Sequence, residues 1–242
     1  MTTKAKRTNN KPFWQFRNAV NEPKTGELLL YGSISSVSWW EDDVTPKLFK
    51  KDLDALGDIS ELKIYINSDG GDVFAGQAIH SMLKRHSAHK TVYIDGLAAS
   101  IASVIAMAGD TIVMPRNAMM MVHNPWTFAW GDSNDFRKMA ETLDQIRESI
   151  VAAYQDKSGM EPDAIRELCD AETWFTADEA VEKGFADEIE ESKQVAASLN
   201  GQFLNVNEQQ FDLTRFKNPP KLAFLPDEKE LRKRKLALLI GL

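Results

Sequence analysis

"YIDGLAAS" (93–100), followed without a break by "IASVIAMAGD" (101–110), is the stretch on which the reading of this chain turns. The first segment is a strand-like run that ends in a glycine, two alanines and a serine. The second is so apolar that it has to be buried, and Gly109 closes it as a core helix. Ser100 therefore stands where a strand stops and a helix starts. A serine there has two readings. It can cap the helix, as serine commonly does. It can also be a nucleophile at a helix N-terminus, where the dipole and the Ile101 N–H stabilise a developing oxyanion. The residue alone leaves both open.

Working outward, strand-like and helix-like runs alternate. "ELLLYGSI" (27–34), "LKIYINS" (62–68), "TVYIDG" (91–96), "TIVMP" (111–115) and "MMMVH" (119–123) read as strands. Between them, "TPKLFKKDLDAL" (45–56) opens with Thr45 as N-cap and Pro46 at the first helical position. "VFAGQAIHSMLKRH" (73–86) has helical spacing at Ile79, Met82 and Leu83. A long helix is expected from Ser133 to about Lys157, with Phe136, Met139, Leu143, Ile146, Ile150 and Tyr154 on one stripe and Gly159 at its end. That stripe predicts burial, within the domain or between subunits. Pro162 starts a shorter helix, and "TADEAVEKG" (176–184) carries a capping box, Thr176 with Glu179. The alternation indicates an α/β fold with a largely parallel sheet. Residues 1–25 read as a flexible basic arm and 26–190 as one domain. Residues 191–242 read as a partly disordered extension, with "DEKELRKRKLALLI" (227–240) as a short terminal helix.

Composition narrows the function. A net charge of −7 over 242 residues argues against nucleic-acid binding, which needs a basic face. No run approaches the roughly 18 uncharged apolar residues of a membrane span, so no membrane partner is expected. The basic start lacks the apolar core of a signal peptide. The one cysteine, Cys169, suits a reducing compartment. A cytoplasmic protein is the expectation.

Three features fall at C-terminal ends of the expected strands, where open α/β sheets place their sites. "NSDGGD" (67–72) offers Gly70 and Gly71, whose backbone N–H groups can face an anion or a substrate backbone, or form a plain tight turn. Ser100 is the second. His123 in "MMMVHNPW" (119–126) is the third and can supply the base that a serine nucleophile needs. His80, His86 and His89 sit in a helix or a solvated basic stretch and are weaker candidates. Scattered histidines and a single cysteine suggest neither metal nor cofactor. Spacing alone does not show that serine, histidine and glycine loop meet.

"INSDGG" (66–71), "DGLAASIAS" (95–103), "MMMVHNP" (119–125) and "TWFTADEAVEKGFAD" (173–187) occur in an order and spacing similar to the ClpP family of serine peptidases. The combination most resembles the ClpP-related head-maturation proteases of tailed phages and prophages. The resemblance spans about residues 27–190 and implies a ClpP/crotonase-like fold whose 133–157 helix is the handle. It implies Ser100 as nucleophile, His123 as general base and Glu172 as the acid. It also implies Gly70 and Ile101 as the oxyanion donors, with Gly71, Asp72, Val73 and Asn124 along the substrate. Substrates would be proteins, capsid and scaffold chains among them, cut in the host cytoplasm or the procapsid. The assembly would be a homo-oligomeric ring, six- or sevenfold, single or doubled.

There are departures. Asp69 stands where housekeeping members have proline, the basic arm is unlike their axial loop, and the tail runs past their core. Asp170 competes with Glu172 in "CDAETWF" (169–175), because in an extended segment both would project to one side. Alternatives are a general ClpP-like peptidase, a crotonase-like acyl-CoA enzyme and a non-catalytic capsid assembly or scaffold protein.

Overall fold

The apolar runs of the sequence form the centre of a mostly parallel sheet. The computed structural model describes residues 12–35, 45–190, 197–200, 203–206 and 209–219. Strands β1 (Trp14–Asn18), β2 (Thr25–Tyr31), β3 (Glu61–Ser68), β4 (His89–Ala99), β5 (Thr111–Pro115) and β8 (Glu188–Glu190) lie side by side in the order β1-β2-β3-β4-β5-β8. All these pairs are parallel except β1 with β2. Leu62, Ile64 and Ile66 of β3 alternate into the core beside Val92 and Ile94 of β4.

β4 changes partner along its length. Thr91 to Tyr93 pair with β5, whereas Leu97 to Ala99 pair with β6 (Met119–Val122). β6 then pairs antiparallel with β7 (Thr173–Phe175). This fork brings the C-terminal ends of β3, β4 and β6 together, which fixes where a site can form.

The helices follow their caps. The Thr45 hydroxyl accepts from Leu48 N–H at 3.2 Å to start α1 (Pro46–Asp54). Asp72 accepts from Ala75 N–H at 2.8 Å to start α2 (Val73–Arg85). The apolar α3 (Ile101–Ala106) is buried throughout. The long α4 (Ser133–Ser158) begins with a capping box between Asp132 and Asp135 and ends at Gly159. Then come α5 (Pro162–Asp170) and α6 (Ala177–Glu182), the latter opened by the expected Thr176–Glu179 box.

Only the last part of the α4 stripe is buried in the protomer, Ile150 and Tyr154, together with Val151 beside it. Phe136 is 52% exposed, and Met139, Leu143 and Ile146 are half-buried. Burial within the domain therefore accounts only for the end of the stripe, where α4 packs on α3 and α5; burial of the rest is left to the other expectation, contact between subunits.

Two expectations about the chain ends are also corrected. The arm assigned to residues 1–25 includes β1, which pairs Trp14 with Leu30. Trp14 is buried, packs edge-on against Phe49 and donates through Nε1 to Asp52 Oδ2 at 2.9 Å. The alternation of Trp14 and Phe16 with polar neighbours is a strand signal that the basic residues before it obscure; residues 1–11 lie outside the described residues.

The extension after 190, expected to be partly disordered, carries an antiparallel sheet of β9 (Ala197–Asn200), β10 (Phe203–Val206) and β11 (Gln209–Asp212). A 3-10 turn, Leu213–Arg215, follows. Leu204, Phe211, Leu213 and Phe216 pack on Leu97, Ala99 and Met121. They cover the sheet face opposite the one occupied by α2 and α3, since Ala98 between them belongs to the helix-covered core. The expected terminal helix lies outside the described residues.

Candidate active site

β4 runs straight into Ser100, whose backbone sits at φ 56°, ψ −131°. Positive φ is costly for a residue with a side chain, and such strain persists only where the surroundings impose it. Here they do. Ser100 N–H donates to Met121 O at 2.9 Å, tying the serine to β6. One turn into α3, Ser103 Oγ lies 2.6 Å from Ser100 O, 3.0 Å from Met121 O and 2.8 Å from the Tyr154 hydroxyl. With one proton, Ser103 donates to these carbonyls and accepts from Tyr154. The Ser100 side chain makes no capping bond. Its Oγ instead lies 2.7 Å from His123 Nε2, which resolves the two readings of this serine against the cap.

The glycine loop passes close over the serine. A Cβ on Gly70, at φ +91°, would sit 2.6 Å from Ser100 Cβ, and one on Gly71 would sit 1.9 Å from Ile34 O. Ile34 stitches the loop in place: its N–H donates to Gly70 O and its carbonyl accepts from Asp72 N–H, both at 2.8 Å. Gly70 N–H, expected as an oxyanion donor, donates to Ser68 Oγ at 3.1 Å. Its neighbour has the freer geometry. Pairing through Gly70 O and Asp72 N–H directs the Gly71 N–H away from Ile34. Ile101 follows Ser100 as the first residue of α3, where a helix leaves its N–H unpaired.

His123 closes β6 with its ring 11% exposed. Burial pushes its pKa below the ordinary value; Glu172 opposes that, and Arg215 and Lys217 reinforce it. The imidazole is thus held neutral, as a base must be. Its Nδ1 lies 3.8 Å from Glu172 Oε2, an ion-pair distance longer than a hydrogen bond.

Glu172 is 5% exposed, and its carboxylate accepts Lys217 N–H at 3.0 Å and Asn218 N–H at 2.6 Å. Its backbone sits at φ 49°, in the left-handed region. α5 ends at Asp170, so the segment is a turn and not the extended run in which both carboxylates would share a side. They part accordingly. Asp170 is 58% exposed, accepts Asn124 Nδ2–H at 2.6 Å and lies 3.6 Å from Arg147.

Of the residues expected along the substrate, Gly71 edges the loop and the Asp72 side chain caps α2 instead. Val73 lines an apolar recess beside Ser100 with Val104, Pro125, Ile150 and Tyr154. Asn124 turns its amide to Asp170, leaving Oδ1 buried with no hydrogen bond among the described residues. Sequence reasoning missed Ser103, Tyr154 and the whole of Arg215 to Asn218. The last had one signal, an aromatic among turn-forming residues in "DLTRFKNPP" (212–220).

Comparisons with known proteins place the chain in a family. Residues 26–193 match the family described as Clp protease. The ATP-dependent Clp protease proteolytic subunit of Bacteroides fragilis is 32% identical over 140 residues, 57% of this chain and 67% of the relative. That of Ligilactobacillus salivarius is 34% identical over 145 residues, 59% and 73% of the two chains. The proteolytic subunit 3 of Streptomyces coelicolor is 31% identical over 136 residues, 55% and 62%. The chain thus spans roughly two-thirds of these relatives. With its match covering well over half of its own length, the chain belongs to the Clp protease family and is a serine-type peptidase.

Proposed function

We propose that Ser100, His123 and Glu172 act as a nucleophile–base–acid triad that hydrolyses peptide bonds in protein substrates. The observation that carries this is the 2.7 Å contact between Ser100 Oγ and His123 Nε2. As Oγ attacks the scissile carbonyl carbon, its proton passes to Nε2, and Glu172 stabilises the imidazolium through Nδ1–H. The carbonyl oxygen becomes an oxyanion, received by Ile101 N–H and, because Gly70 N–H is engaged by Ser68, by Gly71 N–H. Collapse expels the amine, which takes the proton from Nε2. Water then attacks the ester by the same route in reverse, releasing the acid and restoring Ser100.

The test is hydrolysis of fluorogenic peptides by the purified protein. Peptides should turn over, and Ser100→Ala should abolish that turnover. Acyl-CoA turnover without peptidase activity would instead favour a crotonase-like enzyme.

The assembly and the physiological substrate extend this reading. A ring of protomers is supported by the apolar surface that the protomer leaves open: Phe128 is 82% and Trp130 90% exposed, ahead of half-exposed Phe136 on α4. Light scattering should report a ring mass, and a monomer at micromolar concentration contradicts it. Capsid and scaffold chains as substrates rest on the four sequence motifs and their phage-type resemblance. Co-expressed capsid and scaffold chains left uncut by an active enzyme would leave a general peptidase.

A further inference from the structure

Four consecutive residues of the C-terminal segment touch three separate parts of the site. Arg215 pairs with Asp69 Oδ2 at 2.5 Å and donates to Asp69 O at 2.8 Å, at the head of the glycine loop. Phe216 is buried, its ring centroid 5.2 Å from Trp174 and 6.2 Å from His123. Lys217 and Asn218 give Glu172 the two N–H bonds that its carboxylate receives among the described residues. Asn218 Nδ2 also donates to Ala171 O at 2.9 Å, bracing the turn in which Glu172 stands. None of these residues falls within 26–193, where the family match lies.

The chemistry makes the contact consequential. A buried carboxylate without hydrogen-bond partners is strongly disfavoured, and it either turns to water or takes up a proton. In both cases it no longer presents a negative charge to an imidazolium. The segment supplies those two partners from backbone atoms, so the bonds themselves do not depend on the side chains at 217 and 218, while the Asn218 side chain braces the turn behind them. It also lies on the sheet face opposite α2 and α3, whereas the apolar recess is built by Val73, Val104 and Ile150 on the helix side. It therefore leaves the recess open.

We propose that Arg215 to Asn218 form a positioning strap, an integral part of the active site that holds Glu172 toward His123 and the Asp69–Gly70 loop over Ser100. This rests on the triad reading above. The strap residues act through the triad and touch no reacting atom.

The test uses the full-length chain and a fluorogenic peptide. Lys217→Pro removes one N–H donor to Glu172 and is expected to lower kcat by about tenfold or more, as losing a bond to a charged group does, with KM little changed. Lys217→Gln keeps the N–H and should recover most of that rate. Arg215→Met should lower kcat and move the acid limb of its pH profile upward. The charged groups facing His123 are Glu172, which raises its pKa, and Arg215 and Lys217, which lower it. A merely structural role would leave the limb in place.

If thermal melts show that Lys217→Pro does not fold, Arg215→Met decides by the same two readouts. Wild-type kcat and an unmoved limb in folded variants would overturn the strap. So would a rise in kcat, which would make the segment an obstruction. A wild-type protein whose Ser100 is inert defeats the triad reading itself, and is distinguishable because no variant is needed to see it.

Discussion

The proposed nucleophile half and the proposed acid half of this site are held in different ways. Ser100 and His123 sit on adjacent strand ends, and the bonds that fix them come from the sheet and α3: Ser100 N–H to Met121 O, and the Ser103 hydroxyl to Ser100 O. Glu172 sits in a left-handed turn after α5, and its carboxylate is held by residues 45 and 46 positions later in the chain. The contacts that fix Ser100 itself come from the parallel sheet and α3. Those that fix the Glu172 carboxylate come from the C-terminal segment. The difference teaches that a triad can be local in its reactive pair and non-local in the group that orients it, so damage to the two halves should differ in size and kind.

The largest expected effect is on the nucleophile half. Ser100→Ala should cost about 10⁶-fold in kcat, the scale seen when a triad serine is removed, with the melting temperature near wild type. Glu172→Gln should cost up to about 10⁴-fold. The amide keeps one acceptor oxygen for the two N–H donors of Lys217 and Asn218 and points a donor at the other. Peptide turnover by the folded variants ranks the two halves directly.

Ser103→Ala should act mainly on stability. It frees the Tyr154 hydroxyl, deep in the core, to go unpaired, at a cost of about 1–3 kcal/mol that a denaturant titration can read. The pH profile gives a smaller shift. Burial lowers the His123 pKa, so the neutral base persists to lower pH than in a free imidazole. The acid limb of kcat/KM should lie below about 6.5. The sign carries to folding: the unfolded chain takes the proton first, so stability is lost as pH falls from that value. Least affected should be Asp170→Asn, within about threefold of wild type, because an exposed pairing with Arg147 contributes little. A large loss there would move the acid role to Asp170.

How much of this was legible in the sequence follows the same division. The alternation of apolar residues in 62–68 and 91–96, and the caps at Thr45 and Thr176, gave their elements to within a few residues, because local chemistry decides them. Ser100 and His123 were nameable as candidates because strand ends carry sites, though their meeting needed the β4 fork that pairs Ala99 with Met121. The family resemblance points to Glu172 over Asp170, but the premise of an extended segment does not hold at the turn after α5. The strap was illegible. Its contacts with Glu172 are backbone N–H groups, which leave no mark on residue type, and Arg215 meets Asp69 across 146 positions. Trp14 was hidden differently, by a basic run that drew the boundary too far inward.

The most direct measurement of the central claim is labelling with a fluorophosphonate probe, followed by mass spectrometry of the modified peptide. The account predicts one adduct, on Ser100, formed rapidly by the wild-type protein and slowed severely in His123→Ala, with Ser103 unlabelled in both. An adduct on another residue, or labelling of Ser100 at the same rate without His123, would contradict it.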